Sequence, residues 1–106
     1  MAKKEKKVIK QSTEAGKQFL EVSKFFKIVA DENRLKILVL LEGSSMNVTD
    51  IHSKLKLPQN LTSHHISKLK TLDLLLEKRE GTFRNYSVNT KKLKEYNKMC
   101  KELFKI

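Results

Sequence analysis

Residues Leu57–Leu69 read LPQNLTSHHISKL and hold two of the chain's three histidines side by side, with the third, His52, five residues upstream. Such a cluster suits a metal site, a catalytic pair, or a helix with another task. Pro58 lacks an N–H and has a pre-set φ, so it suits the very start of a helix. Gln59 to Thr71 then continue that helix with Leu61, Leu69 and Leu72 on one side. His65 stands four residues from both Leu61 and Leu69 and faces the core with them, whereas His64 shares the outward side with Asn60, Ser67 and Lys68. Neighbours on a helix point about 100° apart, which is poor geometry for chelating one ion. His65 therefore reads as a partly buried histidine hydrogen-bonded within the scaffold, and His64 as a surface donor.

Just upstream, Thr49 can cap a short helix that carries Ile51 and Leu55 inward and ends near Leu57. Two short helices thus meet at a tight corner. Before them GSSMNV (residues 43–48) reads as a loop, and Asp31 caps a helix carrying Leu35, Leu38 and Leu41 until Gly43 stops it. Another helix starts near Ser12 or Thr13 and ends at Ala30. Its Phe19, Val22, Phe26 and Val29 fall at i, i+3, i+7 and i+10, a narrow seam widened by Leu20 and Phe25. Downstream, LLEKRE from Leu75, a turn at Gly81-Thr82 and FRNYSV form a two-stranded hairpin, with Phe83, Tyr86 and Val88 as strand formers. Asn89 or Thr90 then caps the last helix, whose Leu93, Tyr96, Cys100 and Leu103 repeat the seam spacing of the first. Each terminal helix has a face that calls for a helical partner.

The expected class is mainly α with a small β-hairpin (α+β), in the order α-α-α-α-β-β-α, a winged helix-turn-helix. Residues 1–12 are expected to be a flexible basic tail and 13–106 the folded domain, with the first and last helices forming a dimer interface. One domain is what 106 residues make.

The net charge of +11 implies a polyanionic partner. Residues 1–10 carry five Lys against one Glu, residues 11–53 are nearly balanced, and the remaining excess lies in residues 54–84 and in the last helix. The basic internal segment coincides with the helix after the corner and with the hairpin. In a winged helix-turn-helix that helix enters the major groove of double-stranded DNA, while the hairpin reaches a neighbouring groove or phosphate strand. Gln59, Asn60, Thr62, Ser63 and His64 are the expected base readers, since short polar side chains near the helix start reach groove edges. Ser67, Lys68, Lys70, Lys78, Arg79, Thr82 and Arg84 are the expected backbone and wing contacts.

No apolar run is long enough to span a bilayer and MAKKEKKVIK lacks the apolar stretch of a secretory signal, which leads to the expectation of a cytoplasmic protein without a membrane partner. A single cysteine excludes an internal disulfide. An enzyme is not expected, because no nucleophile with a base, phosphate-binding glycine loop or carboxylate pair stands in a recognisable frame.

From about Phe25 to Leu103 the sequence resembles the ArsR/SmtB family of small bacterial and archaeal winged-helix repressors. The matching pieces are VADENRLKILVLL (29–41), LPQNLTSHHISKLK (57–70) and EKREGTFRNYSVN (77–89), and the SHH and REG within them are specific when found together. The resemblance implies a homodimer built by the first and last helices, here through Phe19, Val22, Phe26, Leu93, Tyr96, Cys100 and Leu103. It implies repression released by an inducer. Asp73 stands where the family commonly has Gly, a place where Asp can still adopt the left-handed conformation.

Many such proteins bind a transition metal through paired cysteines near the third helix or through His and carboxylate ligands on the last. In this chain Asn47 and Thr49 stand at the cysteine places, and KKLKEYNKMCKELF (91–104) has no histidine or aspartate, so no metal and no cofactor are expected at those sites. Cys100 reads as a small buried hydrophobe, with a redox or intersubunit role as the sharper reading. The alternative function is a winged-helix interaction module, or one that coats DNA without sequence preference.

Overall fold

The computed structural model describes residues 13–106, so the basic tail expected at 1–12 lies outside the described residues. Helix α1 (Glu14–Val29) begins where the Thr13 hydroxyl accepts from the Gly16 N–H. Helix α2 (Glu32–Leu40) is capped by Asp31, whose carboxylate accepts from the N–H groups of Asn33 and Arg34. These bonds satisfy N–H groups that have no partner inside the helix. Helices α3 (Val48–Leu55) and α4 (Gln59–Lys70) form the corner, followed by strands β1 (Leu75–Glu80) and β2 (Phe83–Val88) and by helix α5 (Thr90–Phe104). The order is the expected one, and the protein is a mainly helical winged helix-turn-helix.

Local details differ from the sequence expectations. Asn47, not Thr49, caps α3, its side-chain oxygen accepting from the Asp50 N–H. Asn47 is the better placed of two competent caps because its backbone is extended, which turns its side chain over the first helical turn. Met46 in the presumed loop pairs with Tyr86 through two backbone hydrogen bonds, so the corner is tied to the wing by a third short extended segment. In α2, Ile37 fills the core position while Leu35 faces outward beside Val39.

The core is completed within the chain. Ile37, Leu41, Ile51, Leu69 and Leu74 are fully buried and join α2, α3, α4 and the start of the wing. Gly81 has φ +60, which supplies the left-handed residue that a two-residue hairpin loop needs. Asp73 also sits in the left-handed region, with φ 56, and ends the turn after α4 while its carbonyl accepts from the Asn89 side chain.

Candidate nucleic-acid interface

The recognition helix α4 starts without a side-chain cap: Pro58 has no group to offer. Instead the Thr62 hydroxyl and the Thr62 N–H both donate to the Pro58 carbonyl at 3.0 Å. Thr62 is fully buried. This corrects its expected role as a base reader, because a threonine whose hydroxyl is satisfied by its own helix can be packed inward like an apolar residue. Leu61, expected inside, is on the surface at the edge of exposure.

The turn into α4 is closed by His52. Its Nδ1 lies 3.2 Å from the Leu57 carbonyl, and the Leu57 N–H donates to the His52 carbonyl, while Lys56 takes a left-handed conformation between them. A carbonyl only accepts, so His52 carries its proton on Nδ1. The third histidine therefore holds the corner.

The outward side of α4 is polar along its length: Gln59, Asn60, Ser63, His64, Ser67 and Lys68 are all exposed. Thr62, His65, Ile66 and Leu69 are buried on the other side. The Asn60 carbonyl oxygen folds back to accept from the Leu61 N–H, leaving its amide N–H groups outward. His64 and His65 point apart, as the 100° step requires, with ring centroids 5.9 Å from each other.

His65 is 5 % exposed, and its polar partners come from α2 and the cap of that helix. Arg34 Nε donates to His65 Nδ1 at 3.1 Å, and Arg34 Nη1 donates to the Ile28 carbonyl at the end of α1. Asp31 Oδ1 lies 3.9 Å from His65 Nε2. Burial pushes the imidazole below its ordinary value, and the nearby Asp31 carboxylate only partly offsets this. The Asp31 carboxyl itself is held below its usual range, first by the backbone N–H of Arg34. No sequence signal pointed to Arg34, which is 31 positions away from His65.

On the wing, Lys78, Arg79, Thr82 and Arg84 are exposed. Arg79 and Arg84 are direct partners in the ladder, a pairing of like charges that costs stability unless an anion lies between or beside them. Lys70 donates from its Nζ to Glu77 at 3.0 Å and lies 5.9 Å from the centre of the Tyr86 ring. The bond from Lys70, with a second from Tyr86, holds the Glu77 carboxyl below its usual range. The lysine joins helix to wing, and its side chain stays 40 % exposed.

The expected dimer residues divide into three groups. Phe19 and Phe26 are largely exposed and, with Leu103 and Phe104, line an apolar groove of about 460 Å3 between α1 and α5. Val22 and Tyr96 are instead buried within the protomer, Tyr96 stacked on Phe25 with centroids 4.5 Å apart. These two belong to the α1–α5 core, because the seam that spacing suggests is one face of each helix and the two helices use part of it on each other. Leu93 lines a second groove with Phe25, Val29 and Leu38, and Cys100 is half-buried. Phe104, 6.5 Å from Phe26, lies one position off the α5 stripe and was missed. Among the described residues no group of three or more His, Cys, Asp or Glu side chains is placed to hold a metal ion, and no helix is long and apolar enough to cross a membrane.

The model of the bacterial regulatory protein arsR family matches residues 31–76, from the α2 cap through the corner and α4 into the wing. An HTH-type transcriptional regulator of Methanocaldococcus jannaschii is 37 % identical over 87 residues, which cover 81 % of this chain and 98 % of that one. The chain belongs to the ArsR family. This ArsR-family chain is also 37 % identical to the transcriptional repressor SdpR of Bacillus subtilis, over 66 % of its own length and 78 % of the relative's. In structure it is similar to the homodimeric winged helix-turn-helix DNA-binding domain of a possible ArsR-family regulator from Mycobacterium bovis. That match has a TM-score of 0.70 and 24 % identity, and covers 85 % of this chain and 84 % of the other. The family is one of bacterial regulatory proteins, and these relatives are regulators of transcription.

Proposed function

We propose that this ArsR-family regulator is a cytoplasmic homodimeric repressor that binds a pseudo-palindromic operator in double-stranded DNA. The observation that carries the reading is the division of α4 into a fully packed side and a continuous polar side. Gln59, Asn60, Ser63 and His64 read bases from that side: an asparagine or glutamine amide can pair with both edge atoms of adenine in the major groove. Ser67, Lys68, Lys78, Arg79, Thr82 and Arg84 hold phosphates, and a phosphate at the wing relieves the repulsion between the paired arginines. A second copy covers the groove formed by Phe19, Phe26, Leu103 and Phe104, bringing two reading helices to half-sites about one helical turn, or a multiple of it, apart.

The regulator works without the metal ligands usual in such repressors. Asn47 spends its side-chain oxygen on capping α3, which supports this reading.

The test is fluorescence anisotropy of the purified protein on the duplex upstream of its own gene and on a scrambled duplex, at two salt concentrations. A site-specific repressor prefers the first by roughly 10³ or more. Equal binding to both, lost steeply with salt, would instead identify a protein that coats DNA, the reading its high positive charge would favour.

A further inference from the structure

We propose that Arg34 and His65 form a proton-sensitive latch that sets the position of the recognition helix, so that acidification loosens the helix and weakens DNA binding. The part of this concerning DNA rests on the function proposed above.

The argument begins with donors and acceptors. The Arg34 guanidinium is always charged and has only donors, so the His65 Nδ1 it touches at 3.1 Å must be the unprotonated acceptor nitrogen. The imidazole proton then sits on Nε2, toward the Asp31 carboxylate 3.9 Å away. A second proton on His65 sets Nδ1–H against Nε–H, two donors and two positive charges face to face. One side must move. The guanidinium is also anchored through Nη1 to the Ile28 carbonyl at 3.2 Å, so the displacement falls on His65 and the helix that carries it.

Asp31 pulls the other way, but its carboxylate is already shared between the backbone N–H groups of Asn33 and Arg34. His64, the remaining titratable group acting on His65, adds repulsion when protonated. Burial disfavours the imidazolium further, so the balance favours the neutral ring.

The latch is well placed to act on function. His65 is buried between Thr62 and Leu69 on the packed side of α4, and the exposed row from Gln59 to Lys68 is rigidly attached to it. Through Arg34 it is tied to α2 and to the end of α1, the helix that lines the proposed dimer groove. A shift at His65 therefore changes how the polar row is presented relative to the dimer frame.

The linkage has a definite sign. The folded state holds His65 below its ordinary 6.5, so the unfolded chain binds the proton more readily. Stability from the neutral latch is complete above that value and is lost as pH falls below it.

Two measurements test the proposal. The first is anisotropy on the duplex upstream of the protein's own gene, for the wild type and His65→Asn, at about pH 7.5 and about pH 5.5. The Asn carbonyl oxygen can replace Nδ1 as acceptor for Arg34 but cannot be protonated, while His52 and His64 remain in both proteins. The wild type is expected to lose on the order of tenfold more affinity than the variant on acidification. Equal losses would overturn the latch.

The second measurement is ¹⁵N NMR of the wild-type imidazoles and of the α4 amides during a pH titration, which needs neither a variant nor DNA. The latch requires an unprotonated Nδ1 on His65 near neutrality, a midpoint below 6.5, and amide shifts across Gln59–Lys68 that follow that midpoint. A proton on Nδ1, or α4 amides indifferent to the titration, would sink it. Absence of binding to any duplex at the higher pH would refute the DNA reading, and the NMR titration would still decide the latch.

Discussion

The two ends of the protein use apolar residues in opposite ways. At the helix-turn-helix end, Ile37, Leu41, Ile51, Leu69 and Leu74 are removed from water entirely, and even the polar Thr62 and His65 are packed inward, each with a hydrogen bond, at the Thr62 hydroxyl and at His65 Nδ1. At the α1–α5 end, Phe19 and Phe26 keep nearly half their surface, 45 % and 43 %, and Phe104 keeps 57 %. One end closes its core within a single chain, although Leu35 and Val39 on α2 stay exposed. The other has large aromatic side chains that only another surface can cover, which is where a small domain without disulfides gains further stability.

The comparison is broken most directly by Leu69→Ala. A fully buried leucine truncated in a close-packed core costs about 2–5 kcal/mol, read as a lower urea midpoint, and it should remove DNA binding together with folding. Phe26→Ala attacks the open end instead. It should leave the helical circular dichroism in place and weaken self-association by roughly 10- to 100-fold in sedimentation equilibrium, an effect of about 1.4–3 kcal/mol if the ring is a central interface anchor. A Phe26→Ala protein that unfolds like Leu69→Ala would show that α1 is part of the monomer core throughout.

Within α4 the comparison sharpens to single residues. Asn60→Ala should relax base preference by about 1–3 kcal/mol when binding to related duplexes is compared. Thr62→Val should leave base preference unchanged and cost about 1 kcal/mol of stability, the worth of the lost hydroxyl bond to Pro58. Altered preference in Thr62→Val alone would mean that the helix starts elsewhere. The smallest expected effect is a gain: Asp73→Gly should raise stability by roughly 0.5–1 kcal/mol, since glycine carries no penalty at φ 56 and the change removes a carboxylate from a helix C-terminus.

Much of this was legible in the sequence. Pro58, Asp31, Asn89 and Gly81 punctuate the chain at the observed boundaries, and the switch from helical to alternating pattern at Leu75 marks the wing. Local backbone chemistry decides such boundaries, and local chemistry is what a sequence displays. Thr49 was a poorer reading for the same reason inverted: Asn47 and Thr49 are both good caps, and only the extended backbone at Asn47 chooses between them.

The sequence by itself determined the order of the elements, the family, the separation of His64 from His65, and the concentration of charge on the reading segment and wing. The tertiary structure decided which face each helix commits and to whom. Periodicity gives the angle between Leu61 and Thr62 but not which of them a neighbour covers, and here the smaller residue is inside because its hydroxyl has a partner one turn back. It likewise decided that Lys70 serves Glu77, that Tyr96 stacks on Phe25, and that Arg34 meets His65. Each of these contacts joins different elements, and its energy depends on distances set only when the whole core packs, so no local pattern announces it.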